Sequence, residues 1–222
     1  MSLVRIAKLA GPLLAGLLLV SASAAPSAVL VFVDDESQLT LSDAQGKSLT
    51  VSEGLVVGAG TTVRTKQTTV EFRLEPNGSI LKLAPHTTFR IKTLQGSGSG
   101  SNDFGLEIGR MRVVAAKLSG AVNYHVKTPT AQAGVRGTDF VLEANPKIGD
   151  WICVKEGAVE FGRDQGPPGQ PKAILVKAGE FANAKAPDFK PKAATAEDIA
   201  KRFEGLDFQG AKESDVPGHT AP

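Results

Sequence analysis

Histidine, cysteine and clustered carboxylates are the side chains best suited to metal binding or catalysis, and this chain has few of them. The three histidines, His86, His125 and His219, are far apart, and no pair has the spacing of metal ligands. The single cysteine, Cys153, excludes a thiolate-rich zinc site. The acidic run at residues 34–36 lacks the alternating oxygen ligands of a calcium loop. It predicts a solvated turn, and we expect no metal and no cofactor.

Catalytic patterns are also missing from the sequence. It contains no nucleophile elbow, no phosphate-binding glycine loop and no metalloprotease helix. Cys153 lies in the apolar run of residues 151–154, which is typical of a buried strand, where cysteine behaves as a small apolar side chain. The alternative for a lone cysteine is pairing with another chain or a reactive thiol. The sequence therefore predicts a protein that is not an enzyme.

Residues 128–140, with the sequence TPTAQAGVRGTDF, are the most informative stretch of the chain. Gly134 and Gly137 permit a bulge or the close approach of two backbones. Pro129 cannot donate a ladder hydrogen bond, so it marks the start of a strand or an edge. These features predict corner geometry between two strands.

Arg136 and Asp139 are the charged residues of this stretch. They are three positions apart and would face opposite sides of a regular strand. A bulge near Gly137 would bring them together, so one prediction is an internal ion pair or an arginine–carbonyl clamp. The alternative is that Arg136 contacts a ligand or a partner.

The elements around this stretch are predicted to be strands from residue 28 to residue 183. Val70, Phe72 and Leu74 alternate with polar residues, and the turn at residues 75–78 predicts a tight hairpin. The same alternation places His125 on the polar face of its strand, while Tyr124 and Trp151 are expected to face the core. Short strands with glycine turns indicate a sandwich, a jelly roll or a solenoid.

Four glycines each precede a short apolar strand, and we expect them to form corners of a layered β-structure. They are Gly54, Gly109, Gly157 and Gly179. Residues 95–103, rich in glycine and serine, and residues 163–171, with two adjacent prolines, predict surface loops.

Residues 1–25 have the pattern of a signal peptide. Arg5 and Lys8 precede a short apolar segment, and residues 21–25 are small, as signal peptidase requires. The alternative is an uncleaved N-terminal anchor. Without Arg5 and Lys8, 23 of the 25 basic residues remain against 23 acidic ones. A neutral mature chain predicts no binding to nucleic acid and no stable membrane anchor after signal cleavage.

The C-terminal part, residues 186–222, is predicted to be a tail with a short amphipathic helix at about residues 195–204. Thr195 and Asp198 form a capping box, and Ile199 and Phe203 share one face. The helix either docks on its own domain or binds a partner through these two side chains. After residue 212 we expect disorder.

Six short motifs, in order along residues 49–183, resemble those of the FecR-type domain. They include the glycine before the strand that ends near residue 65, the Asn-Gly hairpin, the strand after Gly109, the EGAV of residues 156–159 and the AGE of residues 178–180. The central element is the TP…GVRGT-x-F signature. Its residues are Thr128, Pro129, Gly134, Val135, Arg136, Gly137, Thr138 and Phe140.

The resemblance implies an all-β fold over residues 26–185. We expect a single antiparallel β-sandwich, jelly-roll-like or solenoid-like FecR domain with a short C-terminal helix. Sigma-regulating members of the family place a cytoplasmic domain and a membrane helix before the β-domain, whereas here a signal peptide precedes it. The sequence therefore predicts a freestanding domain in the periplasm, or a secreted one.

The predicted function is that of a non-catalytic protein-binding module of the cell envelope, in signalling or as a scaffold. Its partner would be another envelope or periplasmic protein. The alternative is a carbohydrate- or cell-wall-binding β-domain, although aromatic residues are only 5% of the chain and sugar sites depend on them.

Overall fold

The computed structural model describes residues 25–95, 100–117, 123–164, 169 and 171–219. The predicted signal peptide lies, except for its last residue, outside them. Within the described ranges, no helix is long and apolar enough to cross a membrane.

The strands form two sheets that share one long strand, β9 (Ser101–Val114). Sheet A contains, in spatial order, β4 (Val56–Val57), β1 (Ser27–Val33), β6 (Val70–Glu75), β7 (Ile80–Leu83), the second half of β9, β12 (Asp139–Ala144), β13 (Trp151–Glu156), β16 (Glu180–Asn183) and β17 (Lys192–Ala193). Sheet B contains β3 (Ser48–Leu49), β2 (Leu39–Ser42), β5 (Thr62–Thr65), β8 (Thr88–Thr93), the first half of β9, β10 (Asn123–Lys127), β11 (Ala131–Val135), β14 (Ala158–Arg163) and β15 (Ala173–Lys177). The pairs are antiparallel except β9 with β10, which is parallel.

The two sheets pack face to face around one hydrophobic core. Phe72 and Leu81 of sheet A belong to the same buried cluster as Phe89 and Phe104 of sheet B. The rings of Phe89 and Phe104 stack with centroids 5.4 Å apart. Both sheets follow the order of the sequence almost strand by strand, so the fold grows from one end to the other as a solenoid does. The predicted all-β class is confirmed.

The four predicted corner glycines all have positive φ angles and lie where the chain passes between the sheets. Their φ angles are 81° at Gly54, 101° at Gly109, 81° at Gly157 and 77° at Gly179. β9 changes sheets at Gly109, since Ile108 pairs with β8 of sheet B and Gly109 with β12 of sheet A. The predicted corner chemistry is confirmed.

The hairpin predicted at residues 75–78 joins β6 to β7, and Gly78 has a φ of 75°. The predicted loop at residues 95–103 extends too far, because β9 begins at Ser101 and pairs there with Asn123 of β10. The glycine-rich composition favoured a loop, but pairing with β10 makes residues 101–103 a strand. At residues 34–36, Asp35 caps a 3-10 turn at Glu36–Gln38, as expected of a solvated turn.

The C-terminal helix α1 (Ala196–Phe203) is present with the predicted capping box between Thr195 and Asp198. The expectation of disorder after residue 212 is wrong for residues 213–219, which the structure describes. A 3-10 turn spans Glu213–Asp215, and the Val216 side chain is only 1% exposed. Polar composition predicted disorder, but burial of a few apolar side chains against sheet A orders this segment.

We predict that Gly157→Ala destabilises the protein more than Gly179→Ala. Both glycines have nearly the same positive φ, so each substitution has the same backbone strain of about 1–3 kcal/mol. A Cβ at Gly157 would also lie 2.9 Å from the carbonyl oxygen of Gly137, whereas the space around Gly179 is open. Urea unfolding of both variants measures the difference. Equal losses of unfolding free energy in the two variants would show that the contact with Gly137 does not contribute to stability.

Candidate functional site

Three charged side chains lie side by side on the outer face of sheet A. Register pairs Glu71 of β6 with Lys82 of β7, and Lys82 with Arg112 of β9. Alternation along the strands turns them away from the core. All three are nevertheless buried, with exposed fractions of 0%, 1% and 0%. We call these three residues the charged row.

The chain's own C-terminus covers the charged row. α1 and the residues after it, 204–219, lie across the outer face of sheet A, and we call residues 204–219 the C-terminal strap. Its Leu206 and Val216 are 0% and 1% exposed. Leu206 packs in a cluster with Trp151 and Val141, so the strap is held by apolar contacts as well as by charge.

Arg112 forms the densest set of contacts in this region. Its Nε and Nη2 donate to the two carboxylate oxygens of Asp139 at 2.9 and 2.7 Å, and Nη2 also lies 2.7 Å from Glu213 of the strap. The rings of Phe203 and Phe208 lie 5.2 and 5.1 Å from the guanidinium carbon. Burial would lower the pKa of Arg112, but Asp139 and Glu213 outweigh it, and the pKa is raised.

Glu71 binds the backbone of the strap. Its carboxylate accepts from the backbone N–H groups of Gln209, Gly210 and Ala211 at 2.8, 2.9 and 3.0 Å. Lys82 lies 3.2 Å from Glu71 and donates to the carbonyl oxygen of Asp207 at 2.5 Å. A carboxylate that accepts several backbone N–H groups in a buried place makes strong charge-assisted bonds.

The end of the strap is fixed at His219. Its Nε2–H donates to the carbonyl oxygen of Ala115 at 2.8 Å, and its Nδ1 lies 3.0 Å from Glu156. Lys117 also donates to Glu156. The hydrogen bond from Lys117, followed by that from His219, lowers the pKa of Glu156.

The signature residues lie mainly at the passage from sheet B to sheet A. Thr128 closes a turn in which its hydroxyl accepts from the N–H of Ala131 at 2.9 Å. Gly137 has a φ of 60° at the corner between β11 and β12. Val135 and Phe140, on either side of it, are in the core. Pro129 is exposed before β11, Gly134 lies on the outer face of sheet B, and Thr138 is buried at the corner.

The predicted ion pair between Arg136 and Asp139 is wrong. The ladder is irregular after Asp139, as a bulge requires, but Asp139 pairs with Arg112 on the neighbouring strand. Arg136 is exposed, and its side chain makes no hydrogen bond or ion pair with the residues that the structure describes. Whether Arg136 contacts a partner stays a prediction.

Ile199 and Phe203, the other predicted partner contacts, pack on the protein itself. Phe203 is 7% exposed and shares a cluster with Trp151 and Cys153, and Ile199 packs against this cluster. The structure therefore shows the docking alternative for α1. Burial raises the pKa of the Cys153 thiol to about 11, which agrees with an inert cysteine.

The outer face of sheet B, which we call the polar face, is uncovered by contrast. His125 Nδ1 lies 2.8 Å from Ser101 Oγ and 3.1 Å from Asp103. Beside them is a shallow cavity of about 260 Å³. Gly134 and Gly162 line its floor, and His125 and Glu160 line its sides.

Sequence alternation did not reveal the charged row as a special feature. Glu71, Lys82 and Arg112 occupy outward positions like any solvated residue, and their cover comes from more than 90 positions further along the chain. The one available signal is the row of aromatic and apolar residues in the tail, which includes Phe203, Leu206 and Phe208. Within the described ranges, no three His, Cys, Asp or Glu side chains are arranged to hold a metal ion.

The geometry defines a two-layer all-β module with one covered and one open outer face. Residues 61–160, a little under half of the chain, match the family model described as FecR protein, and this part of the chain is similar to that family. No curated protein matches the chain. Two crystal structures of a candidate anti-sigma factor from Parabacteroides distasonis ATCC 8503 are similar at 20% identity, with TM-scores of 0.47 and 0.46. Each similarity covers 59% of this chain and 58% of the other, so the chain spans little more than half their length.

We predict that Arg112→Met lowers the free energy of unfolding by about 3–5 kcal/mol, because Asp139 is then left buried without its main partner. Arg73→Met is the matched control. Arg73 pairs with Glu75 on the same sheet with nearly half of its side chain exposed, and we expect a change of at most about 1 kcal/mol. Urea unfolding measures both. Similar losses for the two variants would contradict the central role of Arg112.

Glu156 makes stability depend on pH at the end of the strap. The pKa of Glu156 in the folded protein is lowered from its ordinary value of 4.5. Its contacts therefore stabilise the protein fully above pH 4.5, and this contribution is lost as the pH falls through the folded pKa. We therefore predict that Glu156→Gln is less stable than the wild type at pH 7 and that the difference shrinks at pH 3. Thermal unfolding at both pH values tests this, and a difference that grows in acid would contradict it.

Proposed function

We propose that the protein is a non-catalytic binding module of the cell envelope that contacts another envelope protein through the polar face of sheet B. Export by the signal peptide predicted at residues 1–25 belongs to the proposal. The similarity of residues 61–160 to the FecR family supports a place in envelope signalling or in a scaffold. The observation that carries the proposal is the pair of glycines on the floor of the polar face.

Gly134 and Gly162 each lie one residue before the end of their strands, β11 and β14, and neither has a positive φ. Any residue could adopt their backbone conformation, and glycine inside a strand costs about 0.5–1 kcal/mol relative to alanine. A Cβ at either position would meet its neighbours only at 3.5 Å or more. The fold therefore does not require these glycines, and what they provide is room for another chain to approach the sheet closely.

The side chains around the glycines can bind a polar partner. Asp103 and Glu160 supply negative charge, while Lys92 and Lys127 supply positive charge on the same face. Hydrogen bonds from Ser101 and His125 outweigh the effect of burial and lower the pKa of Asp103, so this carboxylate stays charged. Mixed charge beside open backbone is suited to the polar rim of a protein interface.

The alternative, a carbohydrate- or cell-wall-binding domain, receives no support from the aromatic side chains. Trp151 and Tyr124 are 7% and 1% exposed. Within the described residues, the large hydrophobic side chains that are exposed are Val56, Ile108, Ile148 and Leu175, and none of them is aromatic. Stacking on sugar rings would need an exposed ring.

We predict that Gly134→Gln combined with Gly162→Gln abolishes capture of the partner while the stability changes by less than about 1.5 kcal/mol. The measurement is photo-crosslinking in the native envelope from a reactive residue at Gln132, which is exposed on the polar face, followed by mass spectrometry. The unmodified protein should give one dominant adduct, and the double variant should lose it.

Gly58→Gln is the matched control, since Gly58 also lacks a positive φ, has open space around it and lies outside the polar face. It should keep the adduct. If the double variant keeps the adduct as well, or if no specific adduct forms from Gln132, the polar face is not the binding surface.

A further inference from the structure

The charged row binds residues 206–211 of the C-terminal strap through their backbone. Glu71 accepts from three successive N–H groups of residues 209–211. Lys82 and Arg112 donate to the carbonyl oxygens of Asp207 and Leu206. Contacts of this kind do not depend on which side chains the bound segment carries. The strap is bent at residues 209–211, so its three successive N–H groups converge on one carboxylate, and a peptide with the same bend could make the same contacts.

Two residues of the strap add selectivity for particular side chains to these backbone contacts. The ring of Phe208 lies 5.1 Å from the guanidinium carbon of Arg112. Two residues later, Gly210 lies against β1 so closely that a Cβ would be 2.5 Å from the carbonyl oxygen of Val31. This collision involves backbone, so it cannot be relieved by a side-chain rotation. The site therefore selects an aromatic residue followed two positions later by glycine.

The face beneath the strap can exist without it. Glu71 and Lys82 pair with each other, and Arg112 pairs with Asp139, all four on strands of sheet A. When the strap leaves, these ion pairs meet water, which solvates charges well. Over part of its length the strap therefore covers charged side chains that water can solvate. Its release would not expose the hydrophobic core between the two sheets.

We propose that the outer face of sheet A is a peptide-binding site, that the C-terminal strap is its resident ligand, and that a segment of a partner protein with the same aromatic–x–glycine chemistry and the same bend displaces the strap. The strap then acts as an intramolecular competitor that sets the affinity of the site. This site is separate from the polar face of sheet B, so either proposal can fail without the other.

The test is fluorescence anisotropy with a labelled synthetic peptide of residues 204–219 added to the full chain. Gly210→Leu in the protein weakens the competing strap and leaves the sheet unchanged. We expect this variant to bind the peptide at least ten-fold more tightly than the wild type. A peptide that itself carries Gly210→Leu should not bind, and adding Glu71→Gln to the variant protein should abolish binding of the normal peptide.

Lys212→Ala is the control within the strap, because Lys212 is exposed, and it should bind the peptide as the wild type does. Far-UV circular dichroism shows whether Gly210→Leu is folded. If it is not, Phe208→Ala, which removes only the ring beside Arg112, takes its place with the same expectation. A folded variant that gains no affinity overturns the proposal. A wild-type dimer with exchanged straps, detected by light scattering, would overturn the assignment to a partner protein and give the site to a second copy of the chain.

Discussion

The removal of the Arg112 guanidinium from water is the constraint on which much of this structure depends. An unpaired buried charge costs several kcal/mol, so the protein must surround it with partners. Asp139 provides two hydrogen bonds from β12, and Glu213 and two aromatic rings come from the C-terminal part of the chain. One side chain therefore connects the centre of sheet A to the segment that covers it. Displacing β12 would remove the two hydrogen bonds of Asp139, whereas displacing the strap would remove Glu213 and the ring of Phe208 and leave the pair with Asp139 in place.

This constraint explains the geometry of the signature stretch. The chain leaves sheet B at Val135 and enters sheet A at Asp139, and Gly137 makes the sharp turn between them. The turn places Asp139 opposite Val114 and beside Arg112, with its carboxylate on the outer face. Arg136 remains at the corner, exposed to solvent. In this stretch the acidic residue has the central structural contacts, although the arginine appears more distinctive in the sequence.

Residue alternation was sufficient to predict the strands, the corner glycines and the capped helix, because each of these depends on neighbours within a few positions. The cover over sheet A could not be predicted in this way. A period of two shows that Glu71 and Phe72 face opposite sides, but it does not show what lies on either side. The backbone that covers Glu71 is 138 to 140 residues away in sequence. After residue 212 the short, polar end of the chain moreover contains too few apolar residues to indicate an ordered segment by composition.

The two outer faces of the domain satisfy their polar groups in different ways, and this difference bears on their use. On sheet A, the charged row and the strap form hydrogen bonds and ion pairs with each other. A ligand that displaces the strap must therefore replace at least these contacts. On sheet B, Asp103 contacts Ser101 and His125 and Lys127 lies 4.0 Å from Asp164, but the Asp103 and Lys127 side chains remain 40% and 55% exposed. The two proposed sites therefore differ in what a ligand must displace: on sheet A it must replace the contacts of the strap, and on sheet B it need not displace any segment of the chain that the structure describes.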